Sequence, residues 1–128
     1  TLLAYNASFE RKRLEELASA FPEYEATLLS LMERIVDLLG IARDYYYHPD
    51  MRGSWSIKAV LPTIAPELDY KTLSVSNGGM AQNTFLQLLF PEASAESKNQ
   101  WRSDLLAYCQ RDTYAMVEIA NFFEGKRK

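Results

Sequence analysis

Two short apolar runs constrain this chain more than anything else in it. TLLAY occupies residues 1–5 and RIVDLL residues 34–39. Each has the length of a buried strand, and the β-branched Ile35 and Val36 favour extended backbone in the second. Between the runs the pattern is helical: Leu14, Leu17, Ala18 and Phe21 recur at helical spacing, with Glu, Lys and Arg interspersed. Asn6 and Ser8 are both competent caps for that helix, and Pro22 closes it. A second helix is predicted over 23–33, with Tyr24, Leu28, Leu31 and Met32 on its inner face. Strands joined by helical crossovers pair in parallel, because a tight hairpin can connect only antiparallel strands. The expected class is α/β, with a parallel strand pair and helices. Two strands do not make a stable sheet alone, so further strands are expected upstream of Thr1. A first residue that is not Met fits a piece taken from a longer chain.

Beyond Gly40, which stops the second run or turns it into a short helix, YYYHPDMRGS at 45–54 reads as a loop around Pro49, Asp50 and Gly53. Ser54 or Ser56 caps a helix running to about Ile64, which Pro62 closes or kinks. VSNGG at 75–79 is a turn. A helix over about 80–89 follows, with Phe85, Leu88 and Leu89 inward, and Pro91 stops it. From Ala95 to Phe123 the pattern is helical again, with at most one break, and Gly125 and a fraying KRK tail end the chain. Without repeats, low-complexity tracts or a linker, residues 1–128 read as one unit.

Composition narrows the chemistry. Lys and Arg number 14 against 17 Asp and Glu, a net charge of −3. No chain-wide basic field exists to grip nucleic acid, although metal-binding carboxylates count against the charge of a nuclease. One cysteine, Cys109, excludes an internal disulfide and a CxxC zinc site, and fits a reducing compartment such as the cytoplasm. One histidine, His48, excludes a His-rich metal cage and disfavours a Ser-His-Asp triad. No apolar run reaches membrane-spanning length and no signal peptide is visible, so no membrane partner is expected. Chemistry must come from carboxylates, tyrosines and backbone.

Two stretches carry such groups. In LLAYCQRDTYAMVEI, residues 105–119, Tyr108 and Asp112 stand four apart and share a helix face. Asp112 falls on the apolar stripe of Leu105, Tyr108, Ala115, Met116 and Ile119. A carboxylate there is costly unless compensated, by a metal ion or by an Arg or Lys. In YNASFE, residues 5–10, an Asn ends the first strand and Glu10 follows on the first turn of the helix.

Together these stretches resemble motifs of the DEDD 3′→5′ exonucleases of the ribonuclease H-like superfamily. Asn6, Phe9 and Glu10 resemble the second motif, NxxFD; Tyr108 and Asp112 resemble the third motif of the Tyr-bearing subgroup, YxxxD. RIVDLL resembles the strand after the second motif, and GSWSIKAVLP the helix after that. The chain is also similar to an uncharacterised bacterial family of exonuclease-like domains, in which such modules can follow a RecB-like nuclease region. Two departures stand out. The second-motif acid is Glu10 rather than Asp, and no DxE occurs at a strand start, so the first motif, with two of four carboxylates, is missing. The resemblance implies an incomplete ribonuclease H-like fold, the C-terminal part of one exonuclease domain. It also implies hydrolysis of phosphodiester bonds at the 3′ end of DNA or RNA by two Mg²⁺ or Mn²⁺ ions. Asp112 would ligate metal directly and Glu10 through waters, while Tyr108 would orient the attacking water. Asn6 would fix the turn and touch the substrate backbone, Phe9 would stack on the terminal nucleotide, and Lys58 (with Arg52) would contact phosphate. With two carboxylates missing, the piece alone is expected to be inactive and to bind metal weakly or not at all.

Each residue also has a plainer reading. Asn6 and Glu10 suit a helix cap and its first-turn acid. Asp112 could pair with Arg111, Arg102 or Lys58, and Asp37 could cap the next turn. His48 reads as a loop residue, Cys109 as a small buried side chain, and Tyr45, Tyr46 and Tyr47 as a half-buried sheet edge. The alternative function is a non-catalytic ribonuclease H-like module that binds nucleic acid or a partner protein. A third possibility is a mostly helical scaffold whose two apolar runs do not pair. An exposed sheet edge would also let two copies associate.

Overall fold

In the computed structural model, which describes residues 1–126, β1 (Leu2–Ala4) and β2 (Ile35–Asp37) form a parallel two-stranded sheet. Leu2 lies opposite Ile35, Leu3 opposite Val36 and Ala4 opposite Asp37. The chain is thus α/β, and the reading in which the two apolar runs do not pair falls. Leu2 N–H donates to the Arg34 carbonyl at 2.9 Å. Backbone groups alternate sides along a strand, so Leu3 turns its own N–H and C=O to the opposite, open edge of β1.

The crossover is a helical hairpin of α1 (Ala7–Ala20), a 3-10 turn (Pro22–Tyr24) and α2 (Glu25–Glu33). Pro22 ends α1 as expected. Of the inner face predicted for the second helix, Leu28, Leu31 and Met32 are partly buried as expected, whereas Tyr24 is exposed because it precedes α2 in the 3-10 turn. The hairpin is anchored where Ala4, Ala7 and Ile35 form one buried cluster flanked by Leu2 and Leu14.

The second strand is shorter than its apolar run because Asp37 converts it into a helix, α3 (Leu38–Tyr45), which contains Gly40. The Asp37 carboxylate accepts from Leu39 N–H at 3.0 Å and, across the sheet, from Asn6 N–H at 2.9 Å and Ala7 N–H at 3.0 Å. One acid therefore caps the helices that leave both strands. Asn6 and Ser8 do not cap α1 with their side chains, contrary to expectation; Ser8 Oγ donates to Asn6 Oδ1 at 2.9 Å instead. Asn6 sits in the left-handed region, at φ 71°, a conformation that Asn tolerates better than other non-glycine residues.

The larger core joins α4 (Ile57–Ile64) to α6 (Ala95–Phe123): Val60, Leu61 and Ile64 pack with Ala115, Ile119, Leu38, Met51 and Tyr70. Pro62 is accommodated near the end of α4, and α6 is continuous. Asn77 caps α5 (Gly78–Leu88) by accepting from Met80 N–H at 2.9 Å, so this helix starts two residues earlier than its pattern implied. Phe85 and Leu89 are exposed rather than inward. Tyr45–Tyr47 form no sheet edge: Tyr45 and Tyr47 are exposed, and the Tyr46 hydroxyl meets Thr63 Oγ1 at 2.9 Å. Of the KRK tail, Lys126 pairs with Glu124; Arg127 and Lys128 lie outside the described residues. Among the described residues no helix is long and apolar enough to cross a membrane.

A relay ties β1 to the 46–55 loop: Tyr5 Oη donates to the Trp55 carbonyl at 2.7 Å, and Trp55 Nε1 donates to the Tyr46 carbonyl at 2.9 Å. Burial, opposed by Arg43 and reinforced by Asp37, pushes the Tyr5 phenol up to about 12. The folded chain therefore holds a proton that the unfolded chain releases near the ordinary value of 10.0. Stability is expected to fall as pH rises from about 10 to 12. Tyr5→Phe should flatten part of that slope in urea titrations repeated across the window, and an unchanged slope would show that this phenol is not a buried donor.

Candidate active site

The turn from β1 into α1 puts Glu10 on the first turn of α1, and α6 passes the same end of the sheet. A depression of about 400 Å³ opens there, lined by Thr1 to Ala4 along β1, by Glu10, and by Asp112, Thr113, Met116 and Val117 of α6. Glu10 and Asp112, far apart in sequence, thus share one concavity. Glu10 Oε2 is buried and has no hydrogen-bond partner among the described residues. A buried unsatisfied carboxylate oxygen calls for a cation, a proton or a water.

Asp112 is half-buried, and its compensator is one the sequence did not indicate. Tyr70, in a 3-10 turn (Tyr70–Thr72), donates its hydroxyl to Asp112 Oδ1 at 2.5 Å. Burial first, then the hydrogen bond to Asp112, hold the Tyr70 phenol well above its ordinary value. Arg111, a sequence candidate for pairing with Asp112, instead donates from Nη1 to the Asp69 carbonyl at 2.9 Å.

Tyr108 lies one turn before Asp112, with its ring edge-on to Tyr70 at 6.1 Å between centroids. Its hydroxyl is near the start of α5, 4.0 Å from where a Cβ on Gly78 would stand. Burial, then the Asp112 charge, push this phenol up to about 12. At neutral pH it is a hydrogen-bond donor, not a base.

Tyr108 is not among the residues that line the depression, and the remaining candidates lie outside it as well. Asn6 borders a separate hollow with Tyr5, Arg43 and Trp55. Phe9 is 62% exposed, with the Arg13 guanidinium 5.3 Å from its ring centroid. Lys58 lines a small hollow with Asp50, Asp69 and Lys71, and its Nζ stands 5.8 Å over the Tyr70 ring. His48 is a loop residue whose Nδ1 accepts from Asp50 N–H at 3.2 Å. Cys109 is exposed, not buried, because it sits on the outer side of α6.

Glu10 and Asp112 are hard oxygen donors of the kind Mg²⁺ and Mn²⁺ prefer, and the orphaned Glu10 oxygen suits a cation. Among the described residues, however, no group of three acidic, His or Cys side chains is placed to hold a metal ion. The donor type fits and the donor number falls short. Sequence reasoning missed Tyr70 altogether, since no spacing rule connects residue 70 to residue 112; only the bend of the 66–72 segment onto α6 brings them together.

Comparison with known proteins finds uncharacterised relatives. No solved structure matches the chain. Uncharacterized protein UU173 of Ureaplasma parvum serovar 3 is 30% identical over 139 residues, covering 95% of this chain and 20% of the relative. Uncharacterized protein MG366 homolog of Mycoplasma pneumoniae is 29% identical over 136 residues, covering 97% of this chain and 20% of the relative. The chain therefore spans about a fifth of the length of these relatives. A family model described as "Domain of unknown function (DUF2779)" matches residues 1–56, the segment that holds both strands, the crossover hairpin, Glu10 and the double cap at Asp37.

Proposed function

We propose that this chain is the C-terminal part of a ribonuclease H-like domain, and that the complete domain is a metal-dependent 3′→5′ exonuclease. One observation carries the reading: Glu10 and Asp112, from the two motif-like segments, line one depression against the open edge of β1. The free backbone groups of Leu3 on that edge can accept another strand. A larger apolar hollow of about 710 Å³ on the outer face of α6 shares Thr113 and Val117 with the first and offers the side chains of such a strand a place to pack. On this reading the strand comes from chain outside these 128 residues and brings the missing carboxylates. The length of the relatives leaves ample room for it.

Bound Mg²⁺ or Mn²⁺ would stabilise charge on the scissile phosphate and lower the pKa of the attacking water. The chain's own residues do the rest. Asp112 and Glu10 would hold the cations, together with donors that the described residues do not supply. Tyr108, kept protonated by burial and by the neighbouring carboxylate, donates a hydrogen bond that orients the water. Phe9 offers an exposed ring for stacking on the terminal base, Lys58 contacts phosphate, and Asn6 fixes the turn that aims Glu10.

The second reading, a non-catalytic module that binds nucleic acid or a partner protein, draws on the Tyr70 bond, which satisfies Asp112 without a metal. A second copy of the chain is the other candidate occupant of the β1 edge. The test uses a longer chain that includes the residues preceding Thr1. With Mg²⁺ or Mn²⁺ it is expected to shorten a 5′-labelled oligonucleotide stepwise from the 3′ end, while the 128-residue chain does not. Folded longer protein that shortens neither single-stranded nor duplex DNA or RNA would return Glu10, Tyr108 and Asp112 to structural roles.

A further inference from the structure

Residues 72–91, which include the whole of α5, carry no charged side chain. The N-terminal half of α6 lies against that neutral helix, and between the two opens a hollow of about 430 Å³. Phe85 and Leu88 line it from α5; Lys98, Asn99, Arg102 and Leu105 line it from α6. Lys98 and Arg102 stand one helical turn apart, so they share a stripe of α6. Neither pairs with an acid among the described residues, and no carboxylate lines the hollow. The flanking acids of α6, Glu96 and Asp104, fall roughly 140° around the helix from this stripe. Asp104 is engaged there by Gln100 Nε2 at 2.9 Å. A chain of net charge −3 thus has a concavity that is purely basic, and single-sign clefts concentrate ligands of opposite charge.

We propose that this hollow holds a single strand of nucleic acid, with Lys98 and Arg102 on its phosphates and the Phe85 ring stacked on a base. The proposal rests on the nucleic-acid reading but not on metal chemistry. Charge and shape choose the occupant. Phosphates supply the anions that the two cations lack. The Phe85 ring, 54% exposed beside them, offers a face on which a base of any sequence can stack. An acidic peptide would answer the cations and leave the ring in water. Arg102 lies ten residues, about 15 Å, along α6 from Asp112, so the hollow grips the strand at a distance from the depression that holds Glu10 and Asp112.

The test is fluorescence anisotropy of a 5′-labelled oligothymidylate, and of the matching oligouridylate, titrated in EDTA with the longer chain that includes the residues preceding Thr1. Chelation keeps metal-dependent hydrolysis out of the measurement, and the tighter of the two ligands tells DNA from RNA. Lys98→Ala combined with Arg102→Ala is expected to weaken binding about tenfold or more. It should also lessen the slope of log affinity against log salt by about 1.4, the share of two phosphates on a single strand. Phe85→Leu keeps an apolar side chain and removes the ring; it should weaken binding about fivefold or more with the salt slope unchanged. Should the alanine pair fail to fold, Arg102→Gln alone decides, with a slope change of about 0.7. Wild-type affinity in the folded deciding variant, or in folded Phe85→Leu, overturns the proposal, whether or not the longer chain shortens oligonucleotides with Mn²⁺. Displacement of the oligonucleotide by polyglutamate of matched charge as readily as by unlabelled oligonucleotide also overturns it, since the ring then adds nothing. Binding that is lost in the variants, by a wild-type protein that never shortens the strand with Mn²⁺, upholds the hollow and overturns the exonuclease reading instead.

Discussion

Asp112→Asn in the longer chain is expected to lower metal-dependent shortening of an oligonucleotide by on the order of a hundredfold or more, the scale on which loss of one preorganised charge-stabilising group acts. The fold should survive. Asn has the shape of Asp, and its carbonyl oxygen can still accept from the Tyr70 hydroxyl that now meets Asp112 Oδ1. What remains as a stability cost is the difference between a charge-assisted and a neutral hydrogen bond, about 1 kcal/mol. What disappears is the negative charge that a hard cation needs in a site already short of donors among the described residues. Single-turnover digestion at saturating Mn²⁺, with a melting curve on the same sample, separates the two effects. A folded Asp112→Asn protein that digests at the wild-type rate would remove Asp112 from the chemistry.

The second large effect concerns stability and lies at the C-terminal end of β2. Asp37→Ala is expected to cost about 3 kcal/mol, because it deletes three bonds to a charged acceptor and uncaps two helices at once; a single cap is worth about 1 kcal/mol and a bond to a charged group about 1.5–3 kcal/mol before water replaces part of it. Asp37→Asn gives an internal control. Asn6 and Leu39 both donate to Oδ1 and Ala7 donates to Oδ2. An amide has one accepting oxygen, so it can keep the first pair and lose the third bond, and about half the loss is expected. Urea unfolding of the three proteins checks the order. If Asp37→Ala lies within about 0.5 kcal/mol of wild type, as ordinary surface substitutions do, the carboxylate does not join the two helix starts.

The two predictions rest on parts of the chain that differed in how readable they were. The strand pair was legible because apolar, β-branched runs bounded by helical pattern leave few arrangements, and the parallel one is what the structure has. Helix limits followed from their signals: Pro22 ends α1, and the 95–123 periodicity is a single helix, α6. Burial was less legible. Tyr24, Phe85, Leu89 and Cys109 carry apolar or weakly polar side chains at helical spacing, yet all four are exposed. Periodicity tells which residues share a face of a helix; it does not tell whether another element lies against that face.

The candidate site divides along the same line. Sequence alone placed Glu10 on a first helical turn and Tyr108 one turn from Asp112, since each placement depends on neighbours within four residues and on the fixed geometry of one helix. It also set the chemistry, because a chain with one His and one Cys has chiefly carboxylates and phenols to offer. Only the tertiary structure decided that Glu10 and Asp112 face one depression, that Tyr70 and not Arg111 answers the Asp112 charge, and that Asp37 reaches across the sheet to cap the helix after β1. Each of these joins residues 30 or more positions apart. Such contacts are set by how whole elements pack, and no local pattern of residues records which partner a buried polar group will find.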